Sequence, residues 1–165
     1  MRVLAIDPGY GRCGIALIER EGAHDTLRYS TCIETSPTLD FTERLRMIID
    51  HVERVMLNHA PEALAIEKLY FKANRTTAMR VAEVRGAILA AAGARNMTIH
   101  EYGPGEVKVA IAGDGRADKK QMARMIHLLM KIEGVRIDDE YDAIAIGLTH
   151  LARARTYGAA LRARS

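Results

Sequence analysis

The chain has 165 residues, enough for one domain and too few for two of ordinary size. With 48% hydrophobic and 27% charged residues it can bury a core, and it lacks the composition of a disordered chain. Charge breaks the apolar stretches too often for a membrane span, and the N-terminal run meets Asp7 too early for a secretory signal. Two cysteines, Cys13 and Cys32, cannot build a disulfide framework, so the expected setting is a reducing cytoplasm. Lys and Arg number 24 against 21 Asp and Glu; the net charge of +3 is compatible with a polyanionic partner without requiring one.

In chain order, the apolar run 2–7 reads as a buried strand ending at Asp7, followed by strands over 13–20 and 26–35. The turn E-G-A-H-D between the last two suits an antiparallel hairpin centred near Gly22. That register sets Cys13 nearly opposite Cys32, so a cross-strand disulfide is geometrically open, although two reduced, half-buried thiols fit better. A helix then starts at Thr38 or Asp40 with Glu43 placed for a capping box, and A-P at 60–61 ends it. Residues 62–67 give a fourth strand ending at Glu67, 75–92 a long helix and 97–101 a fifth strand. Helices over 105–111, 118–132 and 139–156 complete the chain. Three meandering strands followed by strand–helix crossovers define an α/β fold, a mixed sheet flanked by helices.

G-Y-G-R-C-G at 9–14 matches a dinucleotide-binding fingerprint. A strand, I-A-L-I-E-R, follows where a phosphate-binding helix N-terminus is required, so the match is discounted. The glycines instead let the chain reverse beside Asp7. An actin-like ATPase, which also carries Asp-x-Gly after its first strand, needs two such domains and does not fit 165 residues.

Acids stand at converging places. Asp7 and Glu67 end apolar strands, and the last helix opens I-D-D-E-Y-D-A-I, where either Asp138 or Asp139 shares a face with Asp142. Carboxylates at ~4 Å repel by about 1 kcal/mol per pair in water and roughly 4 kcal/mol at intermediate dielectric. A site that gathers four needs counter-charge, and oxygen donors without a Cys/His set favour Mg²⁺ or Mn²⁺ over Zn²⁺.

The segments A-I-D-P-G-Y-G (5–11), A-I-E-K-L-Y-F-K-A-N (65–74), A-E-V-R-G-A-I (82–88), Y-G-P-G-E-V-K (102–108), G-D-G-R-A-D-K-K-Q (113–121) and D-E-Y-D-A-I-A-I-G-L-T-H (139–150) form one ordered series. Together they resemble the RuvC family of bacterial Holliday-junction resolvases from about residue 2 to 152. The resemblance implies an RNase H-like fold of five strands, three antiparallel and two parallel, as one nuclease domain over 1–156 with a basic tail over 157–165. It implies four metal-binding acids, Asp7, Glu67, Asp139 and Asp142, with Asp138 and Glu140 as alternatives. Glu140 and Tyr141 stand where small residues are common in the family.

The resemblance further implies two Mg²⁺ or Mn²⁺ ions per site, and a homodimer that nicks opposing strands of a four-way junction. The cuts leave 5′-phosphate and 3′-hydroxyl ends in recombination and repair. RuvA and RuvB would be the branch-migration partners. Lys108 and Lys119 match basic positions of the family, and Tyr70, with Phe71 as substitute, matches an aromatic that stacks on an unpaired base. Lys72, Arg75, Arg116 and Lys120 are further expected DNA contacts, with Lys68 and Arg80 beside them. The four-spaced Ala78, Ala82, Gly86 and Ala90 form a small-residue stripe on the second helix, which suits packing on the sheet or, as expected here, a twofold dimer contact. His127 and His150 are expected to be structural.

Overall fold

The computed structural model describes residues 1–69 and 75–162, with the side chains of Arg75 and of 155–162 outside the description. Five strands, β1 (Arg2–Asp7), β2 (Arg12–Glu21), β3 (His24–Glu34), β4 (Ala63–Glu67) and β5 (Thr98–Tyr102), form one sheet in the order β3-β2-β1-β4-β5. β1, β2 and β3 pair antiparallel, while β4 joins β1 and β5 joins β4 in parallel. This is the expected mixed sheet.

Alternation along the strands divides two cores. Leu4, Ile6, Ile15, Leu17, Leu64 and Ile66 face α1 (Phe41–His59) and α2 (Arg75–Gly93). Val3, Ala5, Ala16, Ile18, Ala63 and Ala65 face α3 (Pro104–Ala112), α4 (Lys119–Met130) and α5 (Asp138–Arg162). The second face is built largely of alanine, so α5 lies close against the sheet and buries Ala143 to Ile146 and Leu151 there. Parallel strands buried on both faces read as the unbroken apolar runs seen at 3–6 and 63–66.

The caps follow their chemistry. Asp40, rather than Thr38, caps α1: its carboxylate accepts from Glu43 N, and the Glu43 side chain accepts from Asp40 N. Asp118 and Gln121 cap α4 in the same way. Two boundaries move from expectation: α4 ends at Met130, where Lys131 turns left-handed (φ 50°), and α5 continues past 156 to Arg162.

The β2–β3 hairpin also differs. It closes on Glu21 opposite His24 with Gly22 at φ 60°, but Arg28 bulges out between the pairs Ile18–Leu27 and Leu17–Tyr29. One extra residue turns every later side chain of β3 over. Cys13 therefore stands opposite Ile33, and Cys32 opposite Gly14 on the other face. Both cysteines are free, and burial pushes their thiols up to about 12 for Cys13 and about 11 for Cys32.

Candidate active site

Parallel pairing of β1 with β4 sets Ile6 beside Ile66, so the residues that follow, Asp7 and Glu67, emerge side by side at one sheet edge. Gly9 makes the turn after Asp7 possible, since a Cβ there would collide with the Arg12 carbonyl oxygen. Gly14 admits the third element: a Cβ on it would collide with the carbonyl oxygen of Asp139, so β2 and the first turn of α5 meet backbone to backbone.

These approaches assemble a cleft of about 350 Å³ lined by Asp7, Glu67, Lys108, Lys119, Asp138 and Asp142, with Val107, Met122, Tyr141 and Ile146 as its apolar wall. Burial first, then the charges of Glu67, Asp142 and Asp139, push the Asp7 carboxyl up to about 8, and it shares a hydrogen bond with Glu67. Asp142 is also raised, mainly by burial and further by Asp139 and Asp138, while Lys119 and Lys108 pull it back. Asp139 borders the cleft instead of lining it, 3.7 Å from the Arg12 guanidinium.

Of the two acids left open beside Asp139, Asp138 lines the cleft and Glu140 does not. Asp138 accepts a 2.9 Å hydrogen bond from Lys119 Nζ, which with Asp142 and Asp139 nearby holds that ammonium above its usual range. Glu140 accepts from Ser30 Oγ at 2.9 Å on β3.

Of the expected DNA contacts, Lys108 and Lys119 stand on the cleft wall. Arg116 and Lys120 are exposed nearby and do not line it. Arg80 pairs with Glu83 at 3.0 Å and stacks on the Phe41 ring at 4.1 Å. Lys68 reaches Glu106 at 3.4 Å. Tyr70, Phe71, Lys72 and the side chain of Arg75 lie outside the described residues. His150 and His127 are structural, as expected. The Tyr102 hydroxyl lies 2.9 Å from His150 Nδ1, and burial with His100 alongside lowers the His150 imidazole to about 4. His127 bonds the Ile132 carbonyl and the Tyr141 hydroxyl, each at 2.8 Å.

Sequence reasoning missed two cations. Arg12 spans Asp139 and Glu34, and its place two residues before Gly14, on the same face of β2, is the signal that could have found it. Arg85 donates to the Glu67 carbonyl at 3.2 Å and pairs with Glu101 at 2.7 Å, so α2 fixes the end of the strand that carries Glu67. Periodicity alone gives no signal for that reach from the helix to the strand ends.

The donor set is all oxygen and its carboxylates are crowded enough to hold protons, which suits hard divalent cations. Among the described residues no three His, Cys, Asp or Glu side chains already stand in a metal-holding arrangement. Asp7 and Glu67 share a hydrogen bond instead, and Arg12 and Lys119 supply positive charge to their neighbours.

A mixed five-stranded sheet whose central strand ends in an aspartate, with further acids from a parallel neighbour and from a helix laid on the sheet, is an RNase H-like fold of the resolvase kind. The chain matches the family model for crossover junction endodeoxyribonuclease RuvC over residues 3–150, and it belongs to that family. It is 40% identical over 156 residues to the RuvC endonuclease of Thermotoga petrophila, covering 94% of each chain. Thermus thermophilus RuvC, solved in complex with a Holliday junction substrate, superposes with a TM-score of 0.88 at 34% identity, over 94% of this chain and 96% of that one. The yeast mitochondrial Holliday junction resolvase, at 17% identity and a TM-score of 0.69 over 92% of this chain and 78% of its own, shares the fold. Membership implies dependence on a divalent metal.

Proposed function

We propose that the chain resolves Holliday junctions as a homodimer, nicking two opposing strands symmetrically by hydrolysis and leaving 5′-phosphate and 3′-hydroxyl ends for a ligase. The observation that carries this reading is the convergence of Asp7, Glu67 and Asp142 on one cleft with Asp139 at its border and two lysines on its wall. Two divalent ions, Mg²⁺ or Mn²⁺, held by Asp7, Glu67, Asp139 and Asp142 would activate the attacking water and neutralise the charge that develops on the leaving 3′ oxygen.

The chain's own residues set the rest. Lys108 and Lys119 line the same cleft as the acids and bind the scissile phosphate, which competes with Asp138 for Lys119 Nζ. Val107, Met122 and Ile146 thin the water around those charges and strengthen them. Arg116, Lys120, Lys72 and Arg75 guide the arms of the junction, and Tyr70 stacks on a base opened at its centre. A second copy of the chain meets the outer side of α2, where Gly86 and Ala90 are exposed and Met79 is 61% exposed, while Val84, Ile88 and Ala92 face the sheet. RuvA and RuvB are the partners that bring the enzyme to a migrating junction. The domain proper ends near 156, and residues 157–165, with Arg162 and Arg164 and no acid, form a basic tail.

A synthetic mobile four-way junction, a linear duplex and an RNA–DNA hybrid, each with Mg²⁺, Mn²⁺ or EDTA, test this together. Metal-dependent paired nicks confined to the junction are expected. Unchanged cleavage by Asp7→Asn, or preference for the hybrid, sinks the reading. A monomer at micromolar concentration by analytical ultracentrifugation sinks the dimer.

A further inference from the structure

Between the two acids that α5 sends toward Asp7 stand Glu140 and Tyr141: the Glu140 carboxylate is committed to β3, and Tyr141 lines the cleft while its hydroxyl is committed to α4. A helix turns about 100° per residue, so Asp139 and Asp142 share one side of the first turn while Glu140 and Tyr141 occupy the arc away from it. Glu140 reaches β3, where its Oε2 accepts from Ser30 Oγ at 2.9 Å; Ser30 Oγ in turn accepts from Arg136 Nε at 3.2 Å. The Arg136 guanidinium stands 3.8 Å from the same carboxylate and donates to the Glu133 carbonyl at 3.0 Å. Tyr141 reaches the other way, to α4. Its hydroxyl accepts from Arg136 N at 3.2 Å and pairs with His127 Nε2 at 2.8 Å, while His127 Nδ1 donates to the Ile132 carbonyl. The third support is Gly14, on which the Asp139 carbonyl rests.

We infer that Glu140 and Tyr141 are positioning residues, two struts that fix the roll of the first turn of α5 and thereby the approach of Asp139 and Asp142 to Asp7, so that they set how tightly this site takes divalent cations. The inference rests on the proposed metal-dependent reading and deepens it. Glu140 is thereby removed from the ligand set: it is 15% exposed, does not line the cleft and faces Ser30 and Arg136. A turn held at one point can roll, whereas contacts to β2, β3 and α4 on three sides leave it one orientation. Outer partners that orient a ligating group change metal affinity by about 10- to 100-fold when removed.

The test is Mn²⁺ binding by the full-length protein, followed by calorimetry and by the Mn²⁺ EPR signal, with junction affinity in EDTA measured beside it. Glu140→Ala and Tyr141→Phe are expected to weaken Mn²⁺ by about tenfold and leave metal-free junction affinity unchanged. Glu140→Gln, whose amide oxygen still accepts from Ser30, stays within about threefold of the parent. Unchanged Mn²⁺ affinity in Glu140→Ala overturns the inference, and so does a Gln variant as weak as the Ala variant, which would make Glu140 a ligand. If Glu140→Ala does not fold, Ser30→Ala decides: weaker Mn²⁺ binding supports the strut and parental binding overturns it. A parent protein that neither binds Mn²⁺ nor cuts junctions brings down the functional reading as well; a competent parent with unaffected variants brings down the strut alone.

Discussion

Replacing Asp7 with asparagine should remove junction cleavage and, at the same time, make the metal-free protein more stable at neutral pH. The Asp7 carboxyl is raised from 3.8 to about 8 in the folded chain, by burial first and then by Glu67, Asp142 and Asp139. A carboxyl raised on folding binds more protons when folded than when unfolded, so its contribution to stability falls as pH rises from about 4 to about 8. At pH 7 the unfolded chain has released that proton and the folded chain still holds it, a cost on the order of 4 kcal/mol relative to pH below 4. An asparagine in its place carries no proton to lose, and its amide can donate to Glu67 as the protonated acid does. Because the cleft opens to water, which screens part of the repulsion, about half of that figure is expected. For a chain of this size ~2 kcal/mol is roughly 4–8 °C in melting temperature. The assay is thermal unfolding of both proteins in EDTA at pH 5, 7 and 8.5, reading their difference so that other titrating groups cancel. The gap should be about 1 kcal/mol at pH 5 and widen with pH to about 2 kcal/mol at pH 7, and Mn²⁺ should raise the parent and leave Asp7→Asn nearly unmoved. A gap that does not change with pH, or a variant that melts below the parent at pH 8.5, refutes the reasoning.

His150, lowered to about 4 by burial and by His100, works in the opposite sense: its contribution is complete above about 6.5 and is lost as pH falls toward 4, a loss of about 3 kcal/mol. Its ring Cε1 proton resonance should therefore stay flat between pH 5 and 8, and a midpoint near 6.5 would contradict the burial. Gly14→Ala places a Cβ against the Asp139 carbonyl and should cost about 1–3 kcal/mol by thermal or urea unfolding, with junction cleavage falling further than the lost stability explains. Asp139→Asn should abolish cleavage while Asp138→Asn, which frees Lys119, retains it; the reverse order in single-turnover assays would exchange the two assignments. Deleting the residues after 156 should reduce the slope of log junction affinity against log salt, and an unchanged slope would show that the tail makes no phosphate contacts.

The layout of the sheet was legible because its signals are local. Apolar runs at 2–7 and 62–67, each closed by one acid, lie in strands buried on both faces, and D-F-T-E and D-K-K-Q announce helix starts that form as written. Asp7 and Glu67 were legible for the same reason, since a strand that ends in an acid at a known edge needs only pairing direction to be placed. Harder to read were the far ends of helices, where nothing local stops α5 at 156. The cations were harder still: Arg12 and Arg85 reach partners on other elements of the same sheet face, and Arg153, near the end of α5, is turned back onto Glu106 at 2.9 Å and over the Tyr102 ring.

The single-residue bulge at Arg28 shows how such a distant consequence arises. Without it the hairpin register that pairs Glu21 with His24 would carry through the ladder, Cys13 would oppose Cys32, and Ser30 would oppose Ile15 on the face that packs against α1 and α2. With it, Ser30 opposes Ala16 on the α5 face, where its hydroxyl meets Glu140, and Cys32 lies beside Gly14 under the turn that carries Asp139. The irregularity that moves the two thiols apart is thus the one that brings β3 to the turn that carries Asp139. A bulge next to a site re-aims side chains that a regular ladder would send the other way, and here that re-aiming reaches a carboxylate that neither lines the cleft nor stands near Arg28 in sequence.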